Sequence, residues 1–230
     1  MNTLAGKPVD RPAVCFYELN GLDENPANPD PFNIYSDPSW KPLLDLTREN
    51  TDRIVMRGVG ATHVTPDAIE DPARDEVWYE SGSRYTSRTI AIGGRALTVQ
   101  RRRDPDVNTV WTTEHLLKDV EDTKAFLSLP ASEFQGAVDP APVVAAESAL
   151  GDTGIVMIDT ADPLCLAASL FDMATYTIVA MTEPRLFHQL LERFAIMLQP
   201  RTEAVSAALP GRLWRIYGPE YASPPYLPPS

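Results

Sequence analysis

The sequence predicts an α/β fold built on a parallel sheet, with a β-hairpin inserted into it. Two observations carry the first part. Short β-favouring apolar runs recur at "PAVCFYE" (12–18), "DRIVMRGV" (52–59), "GIVMID" (154–159) and "RLWRIY" (212–217), and stretches of helical spacing lie between them. Strands that alternate with helices pair in parallel, because each helix carries the chain back to start the next strand in the same direction. The third observation is "SRYTSRTIAI" and "RALTVQRRR", alternating β-formers on either side of Gly93-Gly94, which read as a hairpin at 83–103.

In chain order, "PAVCFYE" follows a proline and reads as a buried first strand. Residues 20–38 form a long polar loop with Pro26, Pro29 and Pro31 before Pro38. Asp37 then offers an N-cap and Pro38 a first helical position. Trp40, Leu43, Leu44 and Leu46 keep helical spacing to about Asn50. "DRIVMRGV" is the second strand. After the hairpin, "KDVEDTKAFLSLP" (118–130) is a short helix with acids in its first turn, and "PAPVVAAESALG" (140–151) is a helix ended by Gly151. "GIVMID" is a strand and "DPLCLAASLFDMATY" (162–176) a helix. "TEPRLFHQLLERFAIMLQPRTEAVSAAL" (182–209) is a long amphipathic helix that Pro200 should kink or divide. "RLWRIY" is the last strand.

The chain of 230 residues is long enough for one good-sized core. Its net charge of −12 argues against nucleic acid, which selects basic surfaces. The one basic run, Arg101–Arg103, reads as a solvated strand end or as an anion contact. No run approaches the roughly 18 apolar residues that span a membrane, and the start lacks a signal-peptide core, so a cytoplasmic location is expected. Cys15 and Cys165 lie in separate apolar stretches and are expected as buried thiols.

Chemistry in parallel α/β folds gathers where strands end and loops begin. The exits are 17–21, 57–63, 159–162 and 217–221. There we single out Glu18, Asp159 and Glu220 for proton transfer, and Tyr17, Asn20, His63, Tyr217 and Tyr221 for substrate contact. Asp162 fits a site or an N-cap before Pro163. Glu220 fits a buried acid between two aromatic rings or a residue of a proline-fixed turn, and His63 a site or a plain loop. His115 and His188 read as surface or structural residues.

"DRPAVCFYELNG", "DPSWKPLLDLTRENTDRI", "TVWTTEHLLKDVEDTKAFLSLP", "TEPRLFHQLLERF" and "YGPEYASPPYLPPS" occur in an order that resembles the uroporphyrinogen decarboxylase superfamily, which includes cobalamin-dependent methyltransferases. The resemblance covers nearly the whole chain as one domain, 1–230. It implies a (β/α)8 TIM-type barrel with its site at the C-terminal mouth of the strands. It also implies an N-terminal portion, the later strands and their metal segment lying beyond Ser230. Zinc and a corrinoid are then expected only in a longer parent, with no metal held by this chain, and a decarboxylase needs neither.

Where that enzyme carries arginines for its substrate's carboxylates, this chain has "YELNG" (17–21), and no arginine stands between Arg11 and Arg48. The resemblance therefore points to the methyl-transfer or uncharacterised branch, acting on a small methylated substrate or a corrinoid protein. The alternatives are a true decarboxylase of tetrapyrrole biosynthesis and a non-catalytic incomplete chain. A half-barrel with open edges further suggests a homodimer.

Overall fold

A computed structural model describes residues 2–3, 5–62, 74–130 and 137–223. In chain order the elements are α1 (Lys41–Asn50), β1 (Arg53–Arg57), β2 (Gly60–Thr62), β3 (Arg74–Glu80), β4 (Ser83–Ile92), β5 (Arg95–Arg103), β6 (Val110–Glu114), α2 (Val120–Leu127), β7 (Ala137–Asp139), α3 (Ala141–Leu150), β8 (Gly154–Ala161), α4 (Pro163–Ala168), α5 (Met173–Thr182), α6 (Pro184–Ala208) and β9 (Leu213–Tyr217). They form a parallel sheet in the order β1-β8-β9, an antiparallel sheet β3-β4-β5-β6, and the small antiparallel pair β2-β7.

The parallel sheet is three strands of the expected kind, joined in sequence order. Its register sets Val55 beside Val156 and Ile158 beside Trp214 on one face. Those residues pack with Val143, Ala146 and Leu150 of α3 and Val205 of α6, so the helices cover this face. The other face carries Ile54, Ile155, Met56, Met157 and Leu213, then Asp159 with Arg215 and Ala161 with Tyr217, in matched register. Among the described residues the sheet is open and no barrel closes.

The run at 12–18 is not a strand. Val14 alone meets the start of β1: its N–H donates to Asp52 Oδ2 at 2.9 Å and its carbonyl accepts from the Asp52 N–H at 2.7 Å. A side-chain carboxylate thus takes the donor that a ladder would have used, and pairing goes no further. Val14, Phe16 and Tyr17 are exposed, and so is Cys15, against the expectation of a buried thiol. Ala13 and Cys15 instead stand with Ile54, Ile155 and Leu213 around a cavity of about 250 Å³ on the open face.

The hairpin is present, with a two-glycine turn. Gly93 and Gly94 have φ of 56° and 75°, the left-handed pair that a type I′ turn needs and that side chains disfavour. It is the centre of a larger sheet, since β3 and β6 flank it. Trp78, Tyr85, Arg102 and Trp111 line up across all four strands, with the Trp78 and Tyr85 rings stacked at 5.3 Å and the Arg102 guanidinium 5.2 Å from the Trp111 ring. Arg101–Arg103 is a strand end as read: Arg102 pairs with Asp104, and Arg103 binds the Phe32 carbonyl and Asn108.

The helices follow their signals with two differences. Residues 162–176 are two helices, not one. Phe171 turns inward and is buried, and Asp172 starts α5 by accepting from the N–H groups of Ala174 and Thr175. α6 is not divided at Pro200, since its apolar stripe is held at both ends. Leu190 and Phe194 pack with Phe126, Phe171 and Tyr176, while Val205 packs under the parallel sheet. Tertiary packing at both ends outweighs the one donor that proline removes.

Candidate functional site

The C-terminal ends of β8 and β9 are laced together. The Asp162 N–H donates to the Tyr217 carbonyl at 2.9 Å. Asp162 Oδ1 accepts from the Cys165 N–H at 2.7 Å, so Asp162 is the N-cap of α4, the plainer of its two sequence readings. Gly218, at φ 133°, passes so close that a Cβ there would lie 2.2 Å from Asp162 Oδ1 and 2.6 Å from Cys165 Cβ. Glycine is required at this crossing on both counts.

On the open face just before this crossing, Asp159 and Arg215 stand opposite each other in register. They form a two-pronged pair: Nε to Oδ1 at 2.6 Å and Nη2 to Oδ2 at 3.0 Å. The third guanidinium nitrogen, Nη1, donates to the Tyr17 hydroxyl. The Tyr217 ring lies 4.9 Å from the guanidinium carbon and the Tyr17 ring 5.7 Å from it. Three segments distant in sequence therefore converge on one cation. The hydrogen bonds that Arg215 donates to Asp159 raise the Arg215 pKa and keep the group charged.

The surroundings are acidic. Burial, then Asp162, Glu220 and Asp159, push the Cys165 thiol pKa up, which holds it protonated and unreactive. Burial and then Asp159 push the Tyr217 phenol up as well. Glu220 is exposed, and its Oε2 accepts from the Gly218 N–H at 3.1 Å, so this acid closes its own turn. Tyr221 belongs to the scaffold: its ring packs edge-on to Tyr176, whose hydroxyl donates to the Tyr221 carbonyl at 3.2 Å.

Glu18 and Asn20 take part in a second cluster. With Asp23, Asn28, Tyr35 and Asn108 they line a polar basin of about 320 Å³. Asn20 is largely spent on its own turn, since its Oδ1 accepts from the N–H groups of Leu22 and Asp23 and its amide donates to Asp23. Beneath it the buried Glu24 accepts from the Asn20 and Gly21 N–H groups. Glu18 is exposed at the rim. The two clusters adjoin at Tyr17 and Glu18, consecutive residues of which one serves each. His63 lies outside the described residues.

The structure thus brings together Tyr17, Asp159 and Tyr217, and adds Arg215 as the group that joins them. A signal for Arg215 existed in "RLWRIY": it stands two positions before Tyr217 and so shares its face. Among the described residues no group of three His, Cys, Asp or Glu is placed to hold a metal ion, and no helix is long and apolar enough to cross a membrane. Compared with known protein families, with curated proteins and with solved structures, the chain matches none.

Proposed function

We propose that the parallel sheet is a section of a (β/α)8-type barrel of the uroporphyrinogen decarboxylase superfamily, and that the chain works on its methyl-transfer or uncharacterised branch. The substrate is a small methylated compound or a corrinoid, received at the C-terminal ends of β8 and β9. Adjacent parallel strands with helices on one face and polar groups at the C-terminal end of the other support this reading.

The observation that carries the choice of substrate is the engagement of Arg215. Its three nitrogens are taken by Asp159 and Tyr17. Asp159, Asp162 and Glu220 act on the neighbouring Cys165, against the cations Arg215 and Arg201 that act on Tyr217, so the mouth is acidic by one charge. Such a mouth disfavours a substrate bearing many carboxylates and suits a neutral or cationic methyl donor. The Tyr17 oxygen accepts from Arg215, which leaves its own proton free for a substrate acceptor. Asp159 and Arg215 fix the position of Tyr17 and the Tyr217 ring. The described residues do not fit a zinc site, and no step is assigned to zinc.

The test is a methyl-transfer assay with the purified chain, a methylated amine and reduced cobalamin, read by corrinoid absorbance. Donor-dependent methylation is expected, with Asp159→Asn slowing it by at least roughly tenfold through loss of positioning. Conversion of uroporphyrinogen to coproporphyrinogen, or no donor-dependent change at all, overturns the proposal.

A further inference from the structure

The antiparallel sheet ends on β3, and among the described residues nothing pairs with the outer edge of that strand. Six of its seven residues are exposed, with Val77 at 60% and Tyr79 at 65%. Such an edge offers a row of free N–H and C=O groups to another strand, and proteins usually blunt it with charge. The charges here are Arg74, Asp75, Glu76 and Glu80. They are of mixed sign, and their order matters.

Strand β3 reads Arg-Asp-Glu-Val-Trp-Tyr-Glu, with Val77 at its centre. Laid antiparallel against a second copy about a two-fold axis through Val77, Arg74 faces the partner's Glu80, and Glu80 faces the partner's Arg74. Val77 meets the partner's Val77, and Asp75 meets the partner's Tyr79. Both ends close on opposite charges and the centre on apolar contact, the arrangement that stabilises cross-strand pairs. Moving the axis by one residue removes this. Centred on Glu76, that residue faces the partner's Glu76. Centred on Trp78, Glu76 faces the partner's Glu80. Both registers set like charges directly opposite.

We infer that β3 is a self-complementary docking edge that pairs two copies of this chain into one continuous eight-stranded antiparallel sheet. An isologous contact of this kind needs only one surface patch, used twice. The strand supplies its backbone hydrogen bonds, Val77 and Tyr79 supply apolar burial, and the Arg74 and Glu80 pairs fix the register.

Sedimentation velocity over a concentration series in low salt tests this on the whole chain. A monomer–dimer equilibrium is expected. Arg74→Glu turns both ionic pairs into repulsions and should weaken the dimer by roughly tenfold, as should Glu80→Arg. The double variant Arg74→Glu/Glu80→Arg restores opposite charges and should return the affinity to within about threefold of the original. Val77→Lys sets two lysines against each other on the axis and should also weaken it. Circular dichroism of each variant reports whether the fold is kept. A chain that stays monomeric up to about 100 µM, a weak affinity for even a small interface, overturns the inference. So does a dimer indifferent to the single charge reversals, or one that the double variant fails to restore.

Discussion

In the parallel sheet Arg215 is held by a carboxylate from the next strand and a tyrosine 198 residues away. In the antiparallel sheet several arginines close short distances: Arg88 binds Asp75 on the neighbouring strand, and Arg102 binds Asp104 and lies over Trp111, though Arg84 reaches back to Asp30 of the 20–37 loop. Hairpin contacts of this kind form early and cheaply, because little chain must be closed to make them. The parallel sheet pairs Arg53 with Gly154, so it can assemble only after the intervening chain has been placed. The two regions therefore differ in what a mutation should do. The antiparallel sheet shares a core with α2, α5 and α6 through Ile92 and Leu97, while the parallel sheet has a separate core under α3 and α6 and carries the charged mouth.

The largest effect is expected at Ile158, fully buried in the central parallel strand beneath α3 and α6. Ile158→Ala should cost about 2–5 kcal/mol, from lost transfer energy and the cavity left behind. Urea unfolding checks it. Loss of less than about 1 kcal/mol would mean this core does little to hold the sheet.

A smaller effect is expected at the ion pair. Arg215→Ala strands Asp159 in a half-buried position, where the two side chains are 29% and 22% exposed. Discounted for that solvent access, the cost is about 1–2 kcal/mol. Asp159→Asn with Arg215→Ala should recover part of it, because no lone charge then remains. A double-mutant cycle measures the coupling. A coupling energy near zero would separate the two residues and remove the mouth's organising contact.

What the sequence revealed and what it hid follow the same division. A run of continuous apolar character, "GIVMID", announces the central strand packed against helices, and the β-formers of "RLWRIY" announce its half-buried neighbour. The Gly93-Gly94 pair announces its turn through backbone geometry that only glycine accepts readily. "PAVCFYE" carries the same apolar signal but lies exposed, because strand formation depends on a partner edge and Asp52 takes the place of one. The arrest at 169–172 was hidden for a related reason. An apolar run reads as continuing helix until the cap at Asp172 is recognised. At the site, Asp159, Tyr17 and Tyr217 were legible as polar groups at strand exits. Their convergence was not, since it rests on the register between β8 and β9. Glu220 and Tyr221 were legible as types but not as roles: one closes a turn and the other packs against Tyr176.

The smallest of the three expected effects concerns the contact between the antiparallel sheet and the 20–37 loop, and it depends on pH. The Phe32 N–H donates to Asp30 and the Arg84 guanidinium pairs with it, which together hold the Asp30 carboxyl below the usual carboxylate range. A group whose folded pKa is depressed adds stability above its unfolded pKa, near 3.9, and loses it as pH falls through the folded value. Acid should therefore release this loop from β4 at a pH below about 4, and its contribution should be constant from about pH 5 upward. As a partly exposed ion pair it is worth no more than about 1 kcal/mol in global stability. Hydrogen exchange reads it locally. In Asp30→Asn, the amides of residues 30–36 should exchange faster at pH 7 than in the parent chain, while those of β1 and β8 stay unchanged. The variant should also lack the parent's added loss of protection in acid. Equal protection of the loop in both chains at pH 7 would show that Asp30 does not hold it. Faster exchange in β1 and β8 as well would show that the antiparallel and parallel sheets open as one unit, and would erase the contrast between the two regions.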